Sequence, residues 1–197
     1  MNKEIFKVNR ERFYNPFSVL SHSNRVILEN AKKQQSKCYE YIASIILSAF
    51  SFEGFLNLIG NRLFLCWKEI ERTWSYSKKL ECILKNIGFK ANYGVRPYQT
   101  IGKLFKFRNE LAHPKPQNLK DENKIEKGDE EEIRRKQPQM EWEKNCTRDF
   151  ATMSYEDVNQ IAKEIWEKAG FDLSDMYSRG HSYTKSRLSE TKDDSSP

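Results

Sequence analysis

The stretch from Tyr41 to Leu63 constrains the fold more than any other part of the chain. It opens with twelve successive uncharged residues, Tyr41 to Phe52, and is then interrupted by Glu53. Ile42, Ile45, Ile46, Ala49, Phe52, Leu56, Ile59 and Leu63 recur at spacings of three and four, the period of a helix with one apolar stripe. A membrane span takes about 17–25 mostly apolar residues, more than the uncharged run supplies, so a core helix is expected. The pattern runs from about Ser23 to Phe64, and Gly54 and Gly60 are the expected points of a kink or of division into two helices.

The rest of the chain reads the same way. A second helix is expected from about Glu69 to Asn86, stopping at Ile87-Gly88. A third starts at Pro97, a residue suited to a first helical turn, and must stop near His113, because Pro114 disfavours helical geometry before it and Pro116 repeats the signal. A last helix is expected to start at Ser154, with Asp157 three residues on as a variant capping box and Met153 and Val158 as a hydrophobic staple, and to end at Gly170. Only 8 Gly and 6 Pro argue against a turn-rich β chain, and no strand is expected; the fold class is all-α. Residues 1–20 read as an N-terminal arm, 21–175 as the helical domain with a charged insertion at about 115–148, and 176–197 as a disordered tail.

Charge and cysteine usage narrow the setting. Residues 1–114 carry 19 Lys/Arg against 9 Asp/Glu, whereas residues 149–197 carry 6 against 10. A basic first half suits a polyanion, since lysines and arginines on phosphates release condensed counterions. Cys38, Cys66, Cys82 and Cys146 include no CxxC pair, and the N-terminus has no apolar leader core. Thiols that stay buried or free, a cytoplasmic location and no membrane association are expected. Three scattered histidines offer no metal-binding spacing, so no metal or cofactor is expected.

Two charges fall on apolar faces. At about 100° per residue, Ile101, Leu104, Phe105, Leu111 and Ala112 share one face of the third helix, and Arg108 lies near its middle. Lys103, Lys106 and Glu110 lie opposite, and Asn109 and His113 share the border. On the first helix Glu53 sits within the apolar stripe, between Ala49 and Leu56. Uncompensated burial of either charge would cost several kcal/mol. Two compensations are open: an ion pair between Glu53 and Arg108 that fixes helix register, or a polar pocket in which Arg108, Asn109 and His113 meet a ligand.

The run Phe107-Arg108-Asn109-Glu110-Leu111-Ala112-His113 resembles the signature of the HEPN superfamily, an Arg followed four to six residues later by His, with a polar residue directly after the Arg. The upstream run Ser48–Gly60 is similar to the family's earlier core helix, with Glu53 at the position that often faces the motif. The resemblance spans about Ser23 to His113, with the final helix as closing element. It implies an up-and-down bundle of four to five helices that dimerises. It also implies a metal-independent endoribonuclease whose composite active site takes Arg and His from both subunits. Other members lack nuclease activity and serve as dimerisation, nucleotide-binding or protein-binding modules.

The chemistry suits these residues in its own right. Cleavage of RNA through its 2′-hydroxyl needs a general base, a general acid and stabilisation of charge at phosphorus. A pair of His113 side chains across a two-fold axis supplies the first two. Arg108 supplies the third, Asn109 orients the His or a phosphate oxygen, and Glu53 holds Arg108 in place. Lys103, Lys106 and Lys115 are the candidate contacts to the RNA backbone. Family toxins silenced by a nucleotidyltransferase carry Tyr two residues after the motif His; here that position is Lys115. A stress, toxin or phage-defence effector is the expected role, with restraint or activation by a protein partner acting some other way. The alternatives are a catalytically inactive HEPN-like module, or an unrelated helical protein in which Arg108 and Glu53 are structural.

Overall fold

The computed structural model describes residues 6–33, 38–122 and 125–187. Among these lie nine helices and one two-stranded sheet. In chain order they are β1 (Phe6–Arg12), α1 (Pro16–Lys33), α2 (Cys38–Leu63), α3 (Trp67–Ile70), α4 (Tyr76–Asn86), α5 (Tyr98–Ala112), α6 (Glu130–Arg135), α7 (Glu141–Lys144), α8 (Arg148–Lys168), α9 (Leu173–Met176) and β2 (His181–Arg187). Five helices, α1, α2, α4, α5 and α8, have eleven residues or more and form the body of the molecule.

The apolar segment forms the central helix: α1, α4, α5 and α8 all pack on α2. Ile45, Ala49, Phe52, Phe55, Leu56 and Ile59 are fully buried there, together with Trp166 and Ile161 of α8 and Leu104 and Phe105 of α5. Among the described residues α2 is the one helix long and apolar enough to cross a membrane, and 61% of its most apolar window is enclosed by the rest of the chain. The contact between α1 and α2 is partly polar. Asn24 donates to Ser48 Oγ at 2.7 Å and accepts from Ser44 Oγ at 2.7 Å, so three fully buried polar side chains satisfy one another.

The structure corrects several expected boundaries. Helix α1 begins at Pro16, before Ser23, and α2 runs from Cys38 to Leu63 without division at Gly54 or Gly60. The glycines serve close approach instead. A Cβ on Gly54 would stand 3.2 Å from the backbone nitrogen of Phe17, and one on Gly60 would fall inside the Trp67 ring. The expected Glu69–Asn86 helix is divided into α3 and α4, because Ser75 turns extended and its hydroxyl accepts from the Lys78 amide as an N-cap. Helix α8 starts at Arg148, capped by Thr147, whose hydroxyl accepts from the Phe150 amide at 3.1 Å. Ser154 therefore lies inside a helix and is buried, and Asp157 is no cap.

Strands were not expected, yet β1 and β2 pair antiparallel, with Phe6 opposite Arg187 and Arg12 opposite His181. The ribbon is almost wholly exposed and is held by cross-strand contacts: the Arg10 guanidinium lies 5.5 Å from the Tyr183 ring centroid, and Lys185 Nζ 5.1 Å from that of Phe6. It adjoins the bundle at Asn15, which caps α1 by accepting from the Ser18 amide and donates to the carbonyls of Met176 and Ser178. The segments read as arm and tail are thus joined, and the expectation of a disordered tail beyond residue 187 lies outside the described residues. Cys38 and Cys146 form a disulfide, contrary to the expected thiols, whereas Cys66 and Cys82 are free. Within the charged insertion α6 has no buried residue, but Trp142 of α7 packs edge-on against Phe107.

Candidate functional site

Helix α5 ends where its prolines require. Its last helical residue is Ala112, and His113 leaves the helix at φ −128° and ψ 55° while its amide still donates to the Asn109 carbonyl. Ile101, Leu104, Phe105 and Phe107 are buried against the core, which turns Arg108 toward α2. There Arg108 Nη2 donates to Glu53 Oε1 at 2.8 Å. Their side chains are 22% and 33% exposed, so the pair is neither sealed in the core nor loose on the surface. The guanidinium carbon also lies 5.1 Å from the Phe105 ring centroid, a cation–π contact, and Phe105 in turn stacks on Tyr76 with its centroid at 3.5 Å. Arg108 Nε is buried without a hydrogen-bond acceptor. The guanidinium is fixed, with donors in reserve.

The polar seam continues along α2. Asn57 lies one turn after Glu53, and its Oδ1 accepts from Lys79 Nζ at 3.0 Å. Asn61, a turn further, donates to the Asn57 carbonyl at 2.8 Å and to Glu71 Oε2 at 3.4 Å. Lys79 is 5% exposed. Burial lowers its ammonium pKa, against the opposing pull of the Glu53 and Glu71 carboxylates. Burial likewise raises the Tyr76 phenol, with Arg108 acting in the opposite direction. Lys79, Asn57 and Tyr76 were not singled out from the sequence. The available signal was that Asn57 and Asn61 extend the row begun by Glu53 at steps of four.

The other expected site residues lie apart from this seam. Asn109 and His113 are exposed, and neither makes a side-chain hydrogen bond to Arg108 or Glu53. Lys103, Lys106 and Lys115 are exposed too; Lys106 Nζ stands 4.0 Å from Glu110 Oε1. On one helix Lys106 and Arg108 point in widely different directions, so one chain offers a basic outer face and an inward Arg rather than a closed constellation. Among the described residues no three His, Cys, Asp or Glu side chains converge as metal ligands.

A second ion pair was also missed. Asp157 of α8, 2% exposed, accepts from Arg96 Nε at 2.9 Å and Nη2 at 2.8 Å, and from the Thr100 hydroxyl at 2.5 Å. The bidentate geometry ties the connection before α5 to α8 and fixes where α5 begins. Next to it, Tyr98 is buried and donates to Glu164 at 3.0 Å; burial and that carboxylate raise its phenol pKa. No family model, curated protein or solved structure matches the chain.

Proposed function

We propose that this chain is a HEPN-like, metal-independent endoribonuclease that acts as a homodimer in stress, toxin or defence roles. The observation that carries the reading is the state of Arg108: charged, anchored by Glu53 at 2.8 Å, laid against Phe105, and still partly open to solvent. A guanidinium held in advance stabilises developing charge on a phosphoryl oxygen without reorganising during reaction. Exposed His113 is free to meet a partner subunit.

The proposed step needs two copies. One His113 accepts the proton of the ribose 2′-hydroxyl as that oxygen attacks phosphorus. The bond from phosphorus to the 5′-oxygen breaks, and the second His113 protonates the leaving oxygen. The products are a 2′,3′-cyclic phosphate and a 5′-hydroxyl. Support for dimerisation comes from α2, where Tyr39 and Phe50 are 76% and 43% exposed and Ile42, Ala43, Ile46 and Leu47 are half-buried. This apolar stripe runs along one side of the helix and ends at Glu53, so a second copy seated on it would approach the Arg108 pair. Lys103, Lys106 and Lys115 would then track the RNA backbone.

A second reading is a non-catalytic module that dimerises or binds a nucleotide or protein. It is favoured by the absence of a side-chain hydrogen bond between exposed His113 and the Arg108–Glu53 pair, which is itself enough to lock α5 on α2. The test is RNA cleavage by the purified chain in excess EDTA, with identification of the product ends. Cyclic-phosphate ends are expected; a folded dimer that leaves every RNA pool intact favours the module.

A further inference from the structure

Beyond the Arg108 pair the seam opens into a cleft of about 690 Å³ between the start of α1, the C-terminal half of α2 and the turn after α3. That volume is in the range of small-ligand sites. One wall is apolar: Phe13 and Tyr14 are 51% and 58% exposed, and Leu58 lies behind them. The opposite side carries Asn57, Asn61, Arg62 and the carboxylate of Glu71. The hydrogen bonds of the two asparagines leave specific groups unused. Asn57 spends its Oδ1 on Lys79 and keeps its Nδ2, whereas Asn61 spends its Nδ2 on Asn57 and Glu71 and keeps its Oδ1. The cleft therefore presents one free amide donor and one free amide acceptor on successive turns of α2. Two guanidinium groups flank it without a carboxylate partner among the described residues: Arg72 in the lining, and Arg12, 5.8 Å from the Tyr14 ring centroid.

We propose that this cleft binds a nucleoside monophosphate unit. The base stacks on Tyr14 or Phe13, its edge pairs with the Asn57 donor and the Asn61 acceptor, and Arg72 takes the phosphate. An aromatic face serves any base, and side-chain amides suit edges that present donor and acceptor together. A purely apolar ligand would bury the two amides without partners. The unit is either a free nucleotide or one residue of single-stranded RNA. In choosing RNA among its sources the proposal rests on the ribonuclease reading, because Asn57 adjoins Glu53 and a strand in the cleft continues toward Arg108.

The test is equilibrium binding to the full chain, read by fluorescence anisotropy, with a short 2′-O-methyl RNA as probe and nucleoside 5′-monophosphates as competitors. Tyr14→Ala and Arg72→Ala are the variants; both residues are exposed, and circular dichroism checks that each variant is folded. Tyr14→Ala is expected to weaken binding by about ten-fold, and Arg72→Ala to weaken it and reduce the slope of log affinity against log salt by about one. Competition by monophosphates identifies a free-nucleotide site; RNA binding without competition identifies a strand subsite. Unchanged affinity in both variants, or no binding of either probe by the wild type, overturns the proposal. The probe lacks 2′-hydroxyls, so binding is read whether or not the chain cleaves RNA. Binding that depends on Tyr14 in a chain without nuclease activity upholds the cleft and removes the ribonuclease reading alone.

Discussion

The proposed role of Arg108 at a phosphate requires that its guanidinium be held still, and two neighbours hold it. Glu53 orients it at 2.8 Å, and Phe105, backed by Tyr76, supports the guanidinium from the side. Lys79 sits close by as a buried amine with one acceptor, Asn57. Its ammonium pKa is pushed below 10.5 by burial. Between the folded value and 10.5 the unfolded chain holds a proton that the folded chain has lost, so stability rises with pH across that window; below it both states are protonated and the penalty is constant. The wild type should therefore gain stability relative to Lys79→Met as pH is raised toward 10.5, measured by urea unfolding at a series of pH values. A difference independent of pH would mean that desolvation does not dominate at this amine. Arg108 and Glu53 were legible in the sequence because each breaks an apolar stripe. Lys79 was not, because a lysine between two apolar turns of α4 reads as solvated until α2 is known to cover it.

At the level of elements, local chemistry set some boundaries and tertiary contact set others. Pro97 and Pro114 bracket α5 by their own covalent geometry, and the helix occupies the span they allow. The start of α8 was misread at Ser154 because Asp157 looks like a capping partner, but its carboxylate is used by Arg96 and Thr100 from another part of the chain. Gly60 shows the same override. In an ordinary helix Gly→Ala adds about 0.5–1 kcal/mol of stability. Here the new methyl would occupy the space of the fully buried Trp67 ring. Gly60→Ala is therefore expected to lower stability by about 1–3 kcal/mol, seen as a reduced denaturation midpoint at unchanged slope. A variant more stable than the wild type would show that α3 is not seated on α2 as described.

The whole molecule is a helical bundle whose ends are tied by features that sequence patterning could not reveal. Strand β1 pairs with a strand at the far end of the chain, and alternation in either alone is too weak to announce a ribbon. The disulfide joins Cys38 at the start of α2 to Cys146 just before α8, 108 positions apart, and no spacing rule marks the pair. Closing so long a loop restricts the unfolded chain, and reduction is expected to cost about 2–4 kcal/mol. Chemical denaturation with and without reductant measures this; identical midpoints would remove the bridge from the account of stability. What was legible at this scale was the helical class, from the period of α2 and the scarcity of glycine and proline.

The proposed function depends on a second copy. Arg108 is held in the seam while His113 lies on the surface, so the proposed cleavage takes its second His113 from a partner copy. The decisive measurement is the rate of RNA cleavage in excess EDTA by the wild type and by His113→Ala, with thermal unfolding and sedimentation run on the same samples. His113 is exposed, so the variant should remain folded and dimeric while cleavage falls by at least about 100-fold. Equal cleavage by wild type and His113→Ala, or none by a folded wild-type dimer, would contradict the central claim.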